Sequence, residues 1–346
     1  MDGRRTRRAA QGRTRGHFLK PGGRVLVTGA DGFLGSHLVE RLLADGVPVR
    51  AFCLYNSNGT RGWLDEVPET PALEVRLGDI RDARFVEEAC QDVEVVFHLA
   101  ALIAIPYSYQ APQSFVETNV LGTLNVLEGA RRAGCRRVVQ ASTSEVYGTA
   151  ETLPIRETHP LRAQSPYSAS KIAADKLCEA YAASYATPVV VLRPFNTYGP
   201  RQSTRAVLPT ILTQLLAGAD ELRLGSLDPR RDLTFVADTV DGFVRAGTAD
   251  GLRPGEVIQL GTGEAVSVQE LAERAMAVVG HRARLVRDPE RVRPRESEVA
   301  ALVSDPALAL ERLGWRPRTG LDEGLRQTAE WFRGRLDRYR VGAYQV

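Results

Sequence analysis

The stretch RVLVTGADGFLGSHLVERLLA, residues 24–44, predicts a short buried strand, a glycine-rich turn and an amphipathic helix in direct succession. The turn holds three glycines at intervals of three residues, Gly29, Gly32 and Gly35. Glycine is favoured where a tight turn or an approaching phosphate leaves no room for a Cβ atom. The N-terminus of the following helix attracts anions through its free N–H groups and its dipole. We therefore expect this turn, including Phe33 and Leu34, to bind the pyrophosphate of a dinucleotide.

Strands and helices continue to alternate after this unit. Apolar strands are predicted near 49–54, 73–77, 94–98, 136–141 and 189–193, and helices near 82–90, 113–133 and 166–186. Such alternation is typical of an α/β fold in which helices cover both faces of a parallel sheet. The sequence therefore predicts a Rossmann-type, doubly wound parallel sheet in a dinucleotide-binding domain over residues 21–195.

The rhythm changes after residue 195 into loops rich in proline and glycine, with shorter strands and helices. Helices are predicted near 206–217, 238–247, 267–279, 305–313 and 321–336. We expect residues 196–346 to form mainly a smaller C-terminal substrate-binding lobe. The strand-like segments 233–236 and 256–260 are expected to return to the first sheet, so that residues within 233–262 complete the Rossmann domain.

Composition indicates an ordinary globular protein, with 346 residues of which 43% are hydrophobic and 25% charged. Residues 1–20 carry seven basic residues against one acidic residue, and we expect them to form a disordered, solvated arm. A nucleic acid is not the expected partner, because most short basic termini are solvated and disordered. A membrane is not expected either, because no apolar run is long enough to span a bilayer. The four cysteines are widely separated, which favours reduced thiols in the cytoplasm and gives no metal-binding pattern.

Tyr167 and Lys171 stand four residues apart in a predicted helix, so they share one helix face. An ammonium near a phenol stabilises the phenolate and lowers its pKa, which is about 10 in a free phenol. Lowering this pKa to neutrality takes roughly 4 kcal/mol, since one pKa unit corresponds to about 1.4 kcal/mol. Lys171 and the cationic ring of a nicotinamide cofactor together could supply this energy, which would make Tyr167 a general base.

The ends of the predicted strands suggest further cofactor contacts. An acid usually binds the adenosine ribose after the second strand, but this chain has Cys53-Leu54-Tyr55 there. The missing acid removes repulsion of a 2′-phosphate, but no arginine follows immediately, and Arg50 and Arg61 are the candidates for holding such a phosphate. These residues leave NAD and NADP both open; the expected cofactor is NAD(P), with NAD preferred. Asp79-Ile80 is placed to meet the adenine, and Leu99-Ala100-Ala101 offers small residues beside the cofactor.

These residues belong to an ordered set of motifs. They are the glycine turn, Gly78-Asp79-Ile80, His98-Leu99-Ala100-Ala101, Thr118-Asn119-Val120, Ser142 to Gly148, Tyr167 with Lys171, Arg193 to Arg201, Arg231 to Val236, Arg293-Pro294 and Leu313-Gly314-Trp315. From about Gly23 to Phe332 the chain resembles the extended short-chain dehydrogenase/reductase family of nucleotide-sugar epimerases and dehydratases. It looks most like 4,6-dehydratases of GDP- or UDP-linked N-acetylglucosamine in nonulosonic-acid pathways, and next most like GDP-mannose 4,6-dehydratase.

The resemblance implies roles for individual residues. The implied catalytic residues are Thr143, Glu145, Tyr167 and Lys171. The implied cofactor-binding residues are the glycine turn, Asp79, Ile80, Leu99, Ala100, Ala101, Asn119, Tyr167, Lys171 and Pro194. The implied substrate-binding residues are Ser144, Ile105, Tyr107, Asn196, Arg201, Arg231 and Arg293, the three arginines being implied to hold the nucleotide diphosphate.

Three reactions on a nucleotide-diphosphate sugar fit this resemblance, and all begin with oxidation at C4. Glu145 favours a 4,6-dehydratase, because a carboxylate can remove the C5 proton that a 4-ketone acidifies. C4 epimerases of the family usually carry a small residue at this position, whereas UDP-glucuronate decarboxylases carry a similar Thr-Ser-Glu element. A cofactor-binding regulator is the non-enzyme alternative. The helices near 113–133 and 166–186 resemble those that pair two subunits in relatives, which implies a homodimer.

Overall fold

The computed structural model describes residues 23–344. The basic arm expected at residues 1–20 lies outside this range. The strands are β1 (Arg24–Thr28), β2 (Val49–Leu54), β3 (Leu73–Gly78), β4 (Val93–His98), β5 (Arg137–Ala141), β6 (Val189–Pro194), β7 (Asn196–Tyr198), β8 (Glu221–Leu224), β9 (Arg230–Phe235), β10 (Glu256–Leu260), β11 (Ala265–Ser267), β12 (Arg284–Arg287) and β13 (Ala301–Leu302). The helices are α1 (Phe33–Ala44), α2 (Ala83–Cys90), α3 (Ile105–Gln110), α4 (Pro112–Phe115), α5 (Gly122–Arg132), α6 (Pro166–Tyr185), α7 (Val207–Leu216), α8 (Val236–Thr248), α9 (Val268–Val279), α10 (Ala307–Leu313) and α11 (Leu321–Arg333). A π-helical segment, Val116–Leu121, joins α4 to α5.

The central sheet has seven parallel strands in the order β10-β6-β5-β4-β1-β2-β3. The chain leaves β1 towards β2 and β3, then returns to the other side of β1 with β4. The carboxyl ends of β1 and β4 therefore flank the topological switch point, where ligands bind in open parallel sheets. The predicted Rossmann-type architecture is confirmed.

The two segments expected to complete this sheet behave differently. Residues 256–260 form β10, which pairs with β6 and supplies the seventh strand. The prediction for 233–236 is wrong, because β9 pairs with β7, β11 and β13 in a separate four-stranded sheet. An apolar pattern shows that a segment is a strand but does not identify its partner.

Side chains of alternate strand residues enter two different cores, as strand geometry requires. Val27 and Phe97 pack in a large core with α1 and α8, whereas Leu26 and Val96 pack in a second core with α2 and α5. The four cysteines are free and buried. Within residues 23–344, we find no helix that combines the length and the apolar character needed to cross a bilayer.

Candidate active site

Packing between β1, its turn and the end of β4 explains two of the three turn glycines. A Cβ atom on Gly29, which has a φ of +65°, would lie 2.8 Å from the Ala100 backbone. A Cβ atom on Gly35 would lie 2.0 Å from the Gly29 carbonyl oxygen. Gly32 is exposed at the N-cap of α1 and has no side chain that could cap the helix. This uncapped N-terminus beside a glycine-rich turn fits a dinucleotide pyrophosphate.

Thr28 and His98 join the carboxyl ends of β1 and β4. Thr28 Oγ1 accepts hydrogen bonds from the backbone N–H groups of Leu99 (3.1 Å) and Ala100 (3.2 Å). The same oxygen lies 2.7 Å from His98 Nδ1. Since both lone pairs of the hydroxyl are used, its proton must go to Nδ1. Thr28, at the end of β1, thus fixes the position of Leu99 and Ala100, which are predicted to lie beside the cofactor.

The other ring nitrogen of His98 gives the same tautomer. Thr123 donates its hydroxyl proton to the Asn119 carbonyl oxygen (2.6 Å), so it accepts from His98 Nε2–H at 3.2 Å. Burial and the charge of Lys171 lower the pKa of His98 to about 3. His98 is therefore a neutral structural residue.

Helix α6 places the predicted Tyr167–Lys171 pair in its first two turns. Ser165 caps the helix by accepting from the Ser168 backbone N–H (3.1 Å), and Ser168 returns a capping interaction. Both members of the pair are buried, with 7% and 4% exposure. Lys171 Nζ donates to the carbonyl oxygen of Ala141, at the end of β5, over 2.6 Å.

In the protein without ligands, the environment of Tyr167 raises the pKa of its phenol. Burial is the main cause, a hydrogen bond with Thr143 acts in the opposite direction, and the charge of Glu145 raises the pKa further. We expected Lys171 to help lower this pKa, but its ammonium is directed to Ala141 and burial prevails. Tyr167 is thus a neutral phenol at neutral pH before any ligand binds.

A buried carboxylate below the pair was missed in the sequence. Asp175 follows Lys171 by one helix turn, and its charge raises the pKa of the lysine against the larger lowering by burial. Asp175 Oδ2 accepts from Ser142 Oγ (2.9 Å) and from Arg193 Nε (3.0 Å). The i, i+4 spacing was a usable signal for this contact.

The Thr-Ser-Glu element after β5 lies directly beside Tyr167. Thr143 accepts from the backbone N–H of Glu145 (3.2 Å) and so caps the short helical turn that buried Ser144 begins. The charge of Glu145 acts on Tyr167 and also on Arg231, whose pKa it raises against the effect of burial. The carboxylate therefore lies between the phenol and the C-terminal lobe.

Two of the predicted substrate arginines come together near this carboxylate. Arg231 Nη2 lies 3.4 Å from Glu298 Oε1, and Arg293 Nη1 lies 3.8 Å from the same oxygen. Arg231 Nη1 also donates to the Val299 carbonyl oxygen (2.8 Å). Arg293 Nη1 is buried and has no hydrogen-bond partner among residues 23–344. The cluster can therefore still donate to an anionic ligand.

Arg201, the third predicted arginine, has a different environment. Its two terminal nitrogens each donate to Glu40 over 2.8 Å, and one of them also donates to Ser36 over 3.2 Å. This bidentate pair attaches the chain after β7 to α1. The guanidinium group that was expected to bind a phosphate thus binds Glu40. Sequence spacing does not show which acid an arginine will contact.

Asn119, an implied cofactor ligand, has hydrogen-bond partners within the protein. Its amide accepts from the Leu102 backbone N–H (2.8 Å) and donates to the Leu102 carbonyl oxygen (2.9 Å). It donates in addition to Ser170 Oγ (2.9 Å). Asn119 therefore fixes the loop that begins with half-buried Ala101 and connects it to α6.

The residues after β3 are arranged by their own neighbours. Asp79 forms an ion pair with Arg81 over 2.6 Å, which lowers the pKa of the carboxyl group. Ile80 is 5% exposed, and a Cβ atom on Gly122 would lie 2.5 Å from its side chain. Gly122 thus lets α5 pack closely on the end of β3.

The predicted sugar-pocket residues divide into support and rim. Ile105 is buried with Phe115 and Tyr167 in a small apolar cluster, so it supports the tyrosine. Tyr107 is 37% exposed and its ring lies 6.0 Å from that of Phe115. Tyr107 is therefore the member of this pair that a ligand can reach.

Asn196 stands where β6 gives way to β7, two residues after half-buried Pro194. Its amide oxygen is buried and has no hydrogen-bond partner within the described part of the chain. A buried polar atom of this kind is normally satisfied by water or a ligand.

A seven-stranded Rossmann-type sheet, a glycine turn and a buried tyrosine–lysine pair define a dinucleotide-binding enzyme. The chain belongs to the extended short-chain dehydrogenase/reductase family of epimerases and dehydratases that act on nucleotide sugars. The model of the GDP-mannose 4,6-dehydratase family matches residues 26–328.

Individual relatives differ in the reaction they are named for. The chain is 37% identical to a UDP-glucose 4-epimerase of Mycolicibacterium smegmatis, over 90% of this chain and 99% of that protein. It is 35% identical to a dTDP-glucose 4,6-dehydratase of Streptomyces antibioticus, over 89% and 92%. The structure is similar to that of DesIV, a dTDP-glucose 4,6-dehydratase from Streptomyces venezuelae solved with NAD and TYD bound. The TM-score is 0.83 at 33% identity, over 92% of this chain and 99% of that one.

Proposed function

We propose that the protein is an NAD-dependent 4,6-dehydratase of a GDP- or UDP-linked hexose, of the N-acetylglucosamine or mannose type. The observation that carries this proposal is the position of Glu145, whose charge acts on Tyr167 and on Arg231. A carboxylate beside the phenol can reach the carbon next to the one that the phenol activates. A C4 epimerase needs no such group, since it only oxidises and reduces C4.

The chemistry that bound NAD supplies is reversible hydride transfer, from C4 at the start and to C6 at the end. Tyr167 accepts the proton of the 4-hydroxyl group as C4 becomes a ketone, and Thr143 donates a hydrogen bond to the same sugar oxygen. Because burial raises the pKa of Tyr167, formation of the phenolate would require the positive charge that the oxidised nicotinamide ring of bound NAD would supply.

Glu145 then removes the C5 proton, which the neighbouring ketone has made acidic. The same carboxyl group gives this proton to the departing 6-hydroxyl, so that one water leaves. In the last step C5 is protonated, and this proton is equivalent to the one that Tyr167 accepted from the 4-hydroxyl group, so the protons balance. The product is a 4-keto-6-deoxy sugar.

The nucleotide diphosphate is assigned to Arg231 and Arg293. Guanidinium forks suit phosphate oxygens, and Arg293 Nη1 is buried without a hydrogen-bond partner in residues 23–344. Asn196 is assigned to the sugar because its buried amide oxygen is similarly unpartnered within that range. Arg201 is left out of the substrate set, since Glu40 occupies it.

Two copies of the chain are proposed to associate through α5 and α6, which pack on each other. Leu121, just before α5, and Tyr185, at the end of α6, are 42% and 57% exposed. Exposed apolar side chains on neighbouring helices support a contact between subunits.

The proposal is tested by incubating the purified protein with GDP- and UDP-linked N-acetylglucosamine, mannose, glucose and glucuronate. Product mass then separates the three reactions. We expect one substrate to lose a water molecule. Loss of carbon dioxide would identify a decarboxylase, and an isomer of unchanged mass would identify an epimerase.

A further inference from the structure

The carboxyl end of β2 lacks the acid that normally recognises the adenosine ribose. The strand ends with buried Cys53 and with Leu54, which is 57% exposed, and Tyr55 after it is 69% exposed. In a dinucleotide-binding fold this position usually carries an Asp or Glu that binds the 2′-hydroxyl of the ribose. None of these three side chains can accept a hydrogen bond with a negative charge.

Asp31, from the neighbouring glycine turn, brings a carboxylate to the same place. The backbone N–H groups of Asp31 and Leu54 hydrogen-bond to this carboxylate and partly offset the rise in its pKa that burial causes. Its charge also raises the pKa of the Cys53 thiol, which burial mainly brings to about 12. An acid from the first turn therefore stands at the end of the second strand.

The backbone around Asp31 is fixed by the loop that follows β2. The Trp63 N–H donates to the Asp31 carbonyl oxygen over 3.1 Å. Gly62 has a φ of +57°, and a Cβ atom there would lie 2.9 Å from Asp31 Cβ and 2.5 Å from its carbonyl oxygen. On the other side, the Ala30 N–H donates to the Phe52 carbonyl oxygen over 3.3 Å. The turn and β2 are thus joined at the point where the carboxylate lies.

Both arginines considered for a 2′-phosphate are already paired with acids. Arg50 is buried near the amino end of β2, at the edge of the sheet opposite to the cofactor turn, and forms an ion pair with Glu74 at 3.0 Å. Arg61 forms ion pairs with Asp65 at 3.1 Å and with Glu69 at 3.7 Å. Arg50 therefore lies too far from the cofactor turn to meet a 2′-phosphate, and the charge of Arg61 is balanced by two acids.

We infer that Asp31 replaces the missing acid of β2, accepts a hydrogen bond from the 2′-hydroxyl of the adenosine ribose, and excludes cofactors that carry a 2′-phosphate. The inference rests on the dinucleotide cofactor of the proposed function and makes it NAD rather than NADP. A carboxylate accepts from a ribose hydroxyl, whereas a 2′-phosphate at the same place would meet a like charge.

Competition between the two cofactors tests this inference without measuring turnover. The purified protein is equilibrated with equal concentrations of NAD and NADP, free ligand is removed, and the bound dinucleotides are quantified by mass spectrometry. We expect the wild-type protein to hold NAD at least about 100-fold in excess. Asp31→Asn should reduce this preference about tenfold or more, equivalent to about 1.4 kcal/mol.

The matched control is Asp45→Asn, which removes the same charge at the opposite end of α1. It should leave the preference within about twofold of wild type. An unchanged preference in the Asp31→Asn protein, or equal binding of both cofactors by wild type, would overturn the inference. A wild-type protein that retains neither dinucleotide would overturn the proposed cofactor as well.

A second measurement uses the wild-type protein alone, in case the variant folds poorly. NAD whose adenosine lacks the 2′-hydroxyl should compete about tenfold less well than NAD, since the hydrogen bond to Asp31 is lost. Equal competition would show that Asp31 does not contact this hydroxyl.

Discussion

Replacing His98 with glutamine should make the fold less sensitive to acid. Burial and the charge of Lys171 lower the pKa of His98 from 6.5 to about 3, and the hydrogen bond that its Nδ1 accepts from Thr28 requires the neutral ring. A group with a lowered pKa in the folded state contributes stability above its unfolded pKa and loses that contribution as the pH falls. The loss begins near pH 6.5 and continues to about pH 3.

The magnitude follows from the slope of about 1.4 kcal/mol per pH unit. At pH 5, one and a half units below the unfolded pKa, wild type loses roughly 2 kcal/mol of unfolding free energy through this residue. Glutamine stays neutral at both pH values. Urea unfolding of both proteins at pH 7 and pH 5, at equal cofactor content, gives the difference. An equal loss of stability in the two proteins would show that His98 is not buried in its neutral form.

The remaining predictions concern chemistry and assembly. Glu145→Gln should slow dehydration about 100-fold or more, while absorbance shows that bound cofactor still becomes reduced. Dehydration at the wild-type rate would show that Glu145 takes no part in the mechanism. Tyr167→Phe should prevent this reduction as well, so a reduced cofactor in that variant would show that another group takes the 4-hydroxyl proton. Light scattering should give twice the mass of the 37.9 kDa chain, and Leu121→Asp with Tyr185→Asp should give a monomer; a wild-type monomer at micromolar concentration would contradict the proposed dimer.

The sheet and its helices could be predicted because short-range patterns determine them. The glycines of the first turn are an example, since Gly29 and Gly35 contact each other across six residues and their spacing is visible in the chain. The partner of a strand depends on distant segments, which explains the error at 233–236. The pairing of β9 with β7 and β13 joins residues that are far apart in the sequence.

The candidate site shows the same division. Tyr167 and Lys171 lie together because a helix fixes their spacing, and Thr143 and Glu145 adjoin them at the end of the neighbouring strand. The partner of Arg201 could not be predicted, because Glu40 is separated from it by 161 residues. Charged side chains are long and many acids are available, so motif position alone does not determine which ion pair forms.

The most direct measurement of the proposed reaction follows the hydrogen atom on C4 of the sugar. A nucleotide-linked hexose carrying deuterium at C4 is converted by the wild-type protein, and the product is examined by NMR. Hydride transfer from C4 to C6 predicts deuterium in the 6-methyl group of a 4-keto sugar. Deuterium that returns to C4, with the 6-hydroxyl group intact, would contradict a 4,6-dehydratase.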